Sequence, residues 1–89
     1  MELSERFIQK LAQEGFNSVY EWQDAPGAVH DMHSHSEAHA IMVTDSEITF
    51  KISGETMMLT PGQRLDIAAK QPHSAIAGPA GAIYIVGEK

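Results

Sequence analysis

The chain contains no cysteine, which excludes disulfides, thiolate metal ligands and cysteine nucleophiles together. Any bound metal would have to be held by nitrogen and oxygen. Cations are also scarce, with six Lys and Arg against twelve Asp and Glu and a formal charge of −6. Six dispersed cations do not build a surface that neutralises phosphates, so nucleic acid is not an expected partner. No run of about 18 apolar residues occurs, so no membrane span is expected. Met1-Glu-Leu-Ser-Glu-Arg6 is no basic stretch leading into an apolar one, so no secretory leader is expected and a cytoplasmic location is the default. Eighty-nine residues make one domain with a modest core, which a bound metal or a dimer interface would help stabilise.

What the chain does have is histidine, concentrated in Gly27-Ala-Val-His-Asp-Met-His-Ser-His-Ser-Glu-Ala-His39. His33 and His35 are two apart, the spacing that puts side chains on one face of a strand, roughly 6.5–7 Å apart at the backbone. Two such imidazoles can lean onto one ion. Ser34, Ser36 and Glu37 read as a turn, after which His39 opens the apolar run Ala40-Ile41-Met42-Val43. If that run folds back, His39 returns beside the first two. His73 lies far along the chain after Gln71-Pro72, where a closed sheet can bring it opposite. The charges between these histidines are Asp31 and Glu37, with no cation to oppose a divalent ion. A solvated histidine-rich loop is the plain alternative.

Ser4 to Glu14 reads as a short helix with Ser4 as N-cap and Gly15 at C′, its stripe formed by Phe7, Ile8 and Leu11. From Ser18 onward short β-like segments alternate with turns. Val19–Trp22 precedes the turn Asp24-Ala-Pro-Gly27, and Ala28–His35 and His39–Thr44 are the two metal-bearing strands. Asp45-Ser46 reads as a tight connection to Glu47–Ile52, where Ile48, Phe50 and Ile52 alternate with polar residues. Ser53-Gly54 is a two-residue hairpin signal, Thr60-Pro-Gly62 another turn, and Arg64–Ile67 a further strand with Leu65 and Ile67 inward. Gly78-Pro-Ala-Gly81 reads as the final turn, between His73–Ala77 and Ala82–Val86. About eight short strands, with no room for crossover helices, make this an all-β barrel or sandwich. The organisation expected is an N-terminal helix over residues 1–17 packed on a single barrel domain over 18–89.

These residues resemble the cupin superfamily across nearly the whole chain. Gly27, five residues, His33, Ser34 and His35 match the opening of its first motif, G-x5-H-x-H-x3,4-E-x6-G. Where that motif expects glutamate the chain has His39, and Ser46 holds the place of its closing glycine. The second motif, G-x5-P-x-G-x2-H-x3-N, is looser: His73 fits, while Ala68 and Ala77 replace its proline and asparagine. The resemblance implies a jelly roll, or double-stranded β-helix, enclosing one divalent metal on His33, His35, His39 and His73. A neutral nitrogen at 39 in place of a carboxylate favours Ni²⁺, Zn²⁺, Fe²⁺ or Cu²⁺ over Mn²⁺. Four nitrogens in an octahedral shell leave two positions for water or substrate. Glu37 is a weaker oxygen candidate. His30, of opposite strand parity, is expected to face away from the metal, as is Met32.

Ile41, Val43, Ile48, Phe50, Ile52, Leu59, Leu65, Ile67, Ile83 and Ile85 are expected to form core or cavity wall. Met42, Met57 and Met58 suit a sheet edge or a dimer contact, a homodimer being common among small cupins. The function implied is a small metal-binding cupin, either an oxygenase- or isomerase-type enzyme on a small organic molecule or a non-catalytic metal- or metabolite-binding sensor. A barrel without metal, keeping the histidines as a pH-responsive cluster, is a third reading. No general acid or base is evident, Tyr20 and Tyr84 being the only candidates. Arg64 shares parity with outward Asp66, which disfavours a phosphate-bearing substrate.

Overall fold

The computed structural model describes residues 2–89. Helix α1 (Leu3–Gln13) is followed by strands β1 (Ser18–Asp24), β2 (Val29–His33), β3 (His39–Ile52), β4 (Glu55–Leu59), β5 (Arg64–Ile67) and β6 (His73–Glu88). The architecture is all-β with one short N-terminal helix. Six strands replace the expected eight because two of the expected turns are bends within single long strands. β3 stays paired through Asp45-Ser46, whereas β6 bows out of the ladder over Gly78–Gly81, five residue steps from Ala77 to Ala82 facing two from Ile48 to Ser46, and resumes as the same strand. Both strands run antiparallel along each other, from His39 opposite Glu88 to Ile52 opposite His73, with register shifts at Val43/Asp45 and Ser46/Ile48. Such bulges bend a strand and sharpen its twist.

The two halves of this bent ribbon belong to different sheets. The half joining residues 39–46 to 82–88 is flanked by β1 and β5. The half joining 48–52 to 73–77 is flanked by β2 and β4. Two four-stranded sheets therefore face each other, a jelly roll whose halves share β3 and β6. Ser46 sits at the β3 bend with φ 60°, in the left-handed region where glycine is at ease. That explains physically why a glycine suits this place.

Between the sheets lie Ile41, Val43, Ile48, Phe50, Leu59 and Ile67, with Ile52 and Leu65 partly buried against them. From β6 the residues between the sheets are Ala75, Ala77, Ala82, Tyr84 and Val86; Ile85 is core as expected, but on the opposite face, and Ile83 is not among the buried residues. Ile85 instead points outward and packs with Ala40 and Met42 under Phe7 and Leu11 of α1. The second half of β6 is thus buried on both faces, so apolar character does not reveal its parity. Met42 lies under the helix, neither at an edge nor free for a partner.

The helix begins one residue before Ser4, with Glu2 at the N-cap position and no side-chain cap. Ile8 is 38% exposed, so the buried stripe is Phe7 and Leu11 alone. The C-terminus is as the glycine signalled. Gly15 has φ 92°, its N–H donates to the Ala12 carbonyl, and the Phe16 N–H donates to Leu11, a Schellman closure. Arg64 of β5 donates to both carboxylate oxygens of Glu14 at 2.7 and 2.8 Å, tying the helix end to the barrel. That guanidinium holds the Glu14 carboxyl down at about 2. No helix among the described residues is long and apolar enough to cross a membrane.

Candidate metal centre

β2 ends at His33, so His35 is not on the strand as the two-residue spacing suggests. It stands in the connection to β3, where its carbonyl accepts the Lys70 N–H at 2.6 Å. That bond pins the segment to the loop before β6. His73, the first residue of β6, pairs with His33 across the ladder, so strand pairing itself brings the distant histidine to the others. His33, His35 and His73 each offer a ring nitrogen within 4.8 Å of the others. Their ring centroids are 4.4 to 5.3 Å apart.

His39 also reaches this cluster, but in a different pose. Its ring stacks on His35 with centroids 4.1 Å apart and planes inclined by 17°. Rings so nearly parallel aim their in-plane lone pairs along planes that do not meet within bonding reach of one ion. His39 would join a shared ion only after its ring turns. Glu37 stays exposed in the loop, accepting the Ser36 hydroxyl at 2.9 Å, and lies outside the cluster.

The donor chemistry fits a metal. The Nδ1–H of His33 donates to the Asp31 carbonyl at 2.5 Å, and that of His73 to the Gln71 carbonyl at 2.9 Å. A carbonyl only accepts, so each Nδ1 carries the proton and each Nε2 keeps a lone pair. Burial pushes the His73, His35 and His39 imidazoles below the ordinary 6.5, with the neighbouring rings adding to the effect. Glu88 opposes it at His35 and His39. Neutral imidazoles are the form a metal requires.

A pH prediction follows for the metal-free protein. Folded pKa values below the unfolded value mean that the unfolded chain binds more protons as pH falls below 6.5. Stability contributed by the neutral rings is therefore complete above that pH and is lost progressively as pH drops towards the folded values. Thermal melts of metal-free protein should be flat from pH 8 to 7 and fall steadily from 6.5 to 5. The decline should be visibly shallower in His35→Gln/His39→Gln, and an equal decline would refute the assignment.

The histidines form part of the wall of a cavity of about 220 Å³ between the sheets. Its other lining includes Ile41, Ile48, Phe50, Val86, Tyr20, Trp22, Tyr84 and Glu88. His30 lines it too, contrary to the parity expectation. Between His30 and His33 the β2–β6 register shifts, three residues of β2 spanning two of β6. The extra residue inverts the alternation, turning His30 inward while Met32 stays 61% exposed. Tyr20 donates to Glu88 at 2.6 Å, so a tyrosine and a carboxylate both stand at this cavity.

The sequence reading also missed Asp24, taken as a turn residue. It is the last residue of β1 and 7% exposed. Its carboxylate accepts from the Trp22 indole at 2.8 Å, the Tyr84 hydroxyl at 2.8 Å and the His30 ring at 2.9 Å. Trp-Gln-Asp before Ala-Pro-Gly gives no local hint, because two of the three partners come from β2 and β6.

No protein-family model matches the chain, and no curated protein sequence does. Solved structures do. An RmlC-like cupin from Shewanella frigidimarina superposes with a TM-score of 0.72 at 23% identity, over 79% of this chain and 62% of that one. The chain has the cupin fold. Two enzymes share the barrel. The DMSP lyase of Ruegeria pomeroyi matches with a TM-score of 0.74 at 18% identity, over 80% of this chain and 36% of its own. The polyketide cyclase of Streptomyces resistomycificus matches with 0.68 at 22% identity, over 86% and 58%. This chain thus spans less than two thirds of the length of each of these proteins.

Proposed function

We propose that this cupin barrel binds one divalent transition metal on His33, His35 and His73, with His39 as a fourth donor after rotation of its ring. We propose further that the bound ion acts on a small organic molecule in the adjoining cavity. The observation that carries the reading is the meeting of three imidazole nitrogens within 4.8 Å, two with their tautomers fixed by backbone carbonyls. An all-nitrogen donor set favours Ni²⁺, Zn²⁺, Fe²⁺ or Cu²⁺ over Mn²⁺. When bound, such an ion supplies Lewis acidity or a site for O₂. The cavity is small and largely apolar beyond the histidines, which suits a compact metabolite in an oxygenase- or isomerase-type reaction. The lyase and the cyclase that share the fold support turnover over mere storage. Barrel and site lie within one chain; cytoplasmic location and homodimerisation are further parts of the reading.

Metal titration tests this directly. Wild-type protein should take up one equivalent of Zn²⁺ or Ni²⁺, and His33→Ala/His73→Ala should take up none. His39→Ala should retain the ion with affinity reduced about 10- to 100-fold, the range typical when support for a metal site is lost. Stoichiometric metal in the double variant would refute the site. Flat O₂-consumption and product traces across thiols, diketones and phenolics would leave binding as the function.

A further inference from the structure

We propose that His30, held by Asp24, is the proton acceptor of this cavity, and that its substrate is a small neutral chelator whose enol or phenol hydroxyl ionises on binding. The inference rests on the metal reading above and assigns the proton chemistry that reading leaves open. Among the described residues no Lys or Arg lines the cavity, and Glu88 adds negative charge to its wall. An anionic molecule would find no countercharge there before reaching the metal, so the cavity suits a guest that enters neutral. A divalent ion binds oxyanions far better than hydroxyls, so the guest's proton needs a destination inside.

His30 is the group arranged to take it. The Asp24 carboxylate, already accepting from Tyr84 and Trp22, accepts the Nε2–H of His30 at 2.9 Å. Donation from Nε2 leaves Nδ1 with its lone pair, and Nδ1 has no hydrogen-bond partner among the described residues. The ring lines the cavity that the metal ligands also line, and it lies outside the cluster of His33, His35 and His73. In the step assigned, the substrate O–H bond breaks, its electron pair stays on oxygen, and the proton forms an N–H bond at Nδ1. The imidazolium so formed stays paired with Asp24, which is thereby a positioning residue, with Tyr84 and Trp22 fixing the carboxylate in turn. The ring is bonded by Asp24 of β1, which Tyr84 of β6 also bonds; the cavity it lines holds His33 of β2 and His73 and Glu88 of β6, and a second depression that it also lines holds Asp31 of β2 and Lys51 of β3.

The test has two arms. ¹⁵N NMR of the His30 ring in metal-free protein should show Nε2 protonated and Nδ1 bare, and Asp24→Asn should weaken that bias. A bare Nε2 in the wild type overturns the proposal. In the second arm, Zn²⁺-loaded protein is titrated with maltol, a chelator that is neutral at pH 7 and whose single enol hydroxyl reports its ionisation by absorption. Wild type should bind it as the chelated enolate near neutral pH. His30→Gln should bind it about tenfold or more weakly, with Zn²⁺ affinity unchanged within twofold. Equal enolate formation in His30→Gln, failure of the Zn²⁺ protein to bind the probe, or a large loss of Zn²⁺ affinity in that variant each overturns the assignment. Failure of Zn²⁺ to bind wild type sinks the metal reading instead, and the metal-free NMR arm still judges His30.

Discussion

Zn²⁺ held at a thousandfold excess over its dissociation constant should raise the melting temperature by about 15–30 °C. The magnitude comes from linkage: an ion that binds only the folded state at that excess adds about 4 kcal/mol. For a domain of this size each kcal/mol moves the midpoint by about 4–8 °C. The condition that the unfolded chain binds poorly is met because His73 is separated from His33 by forty residues and meets it only through β2–β6 pairing. His33→Ala/His73→Ala should show a shift of no more than a few degrees under the same Zn²⁺. A shift as large in that variant would place the ion elsewhere. Differential scanning calorimetry with and without chelator reads both outcomes.

The parts of the molecule legible in sequence were those governed by local chemistry. Gly15 at φ 92° ends the helix, and Ser53-Gly54, both at positive φ, close the hairpin from Ile52 to Glu55. The inward set Ile48 and Phe50 followed from simple alternation, because β3 there has one face in the core and one in water. The resemblance pointed to the barrel and to the histidines, three of which converge in space. What escaped was anything that depended on counting through an irregularity. One added residue in β2 turned His30 from an expected outward position to the cavity, and no residue type between 30 and 33 announces it. The Asp45-Ser46 and Gly78–Gly81 stretches carry turn chemistry, yet neither ends its strand: the first stays paired and the second bows out and returns, because bends and turns ask for the same positive-φ residues. Asp24 looked like the start of a turn, since its partners Tyr84 and His30 are supplied by the tertiary fold. The polar network of the cavity was therefore the least readable feature.

Gly81→Ala should be among the most damaging single-methyl additions in the chain, and Gly62→Ala is its natural control. Both glycines sit in the left-handed region, at φ 86° and 93°, so both substitutions incur the same backbone penalty of about 1–2 kcal/mol. Their surroundings differ. A Cβ at residue 62 meets nothing within 4 Å, whereas one at residue 81 lies 2.7 Å from the backbone oxygen of Asp24. A backbone atom in a paired strand cannot swing aside as a side-chain tip does, so the β6 bend or β1 must shift. Gly62→Ala should therefore cost about 1–2 kcal/mol, and Gly81→Ala about 1–3 kcal/mol more, in urea unfolding at equal m-value. The displaced oxygen belongs to the residue that orients His30, so the damage should reach the cavity. In Gly81→Ala protein that remains folded, the His30 ring should lose its Nε2–H preference, while in Gly62→Ala it should keep it. Equal destabilisation by the two substitutions would show that β6 bends at residue 81 with room to spare. The close packing of bend against strand could then not be what holds the Asp24 carboxylate in place.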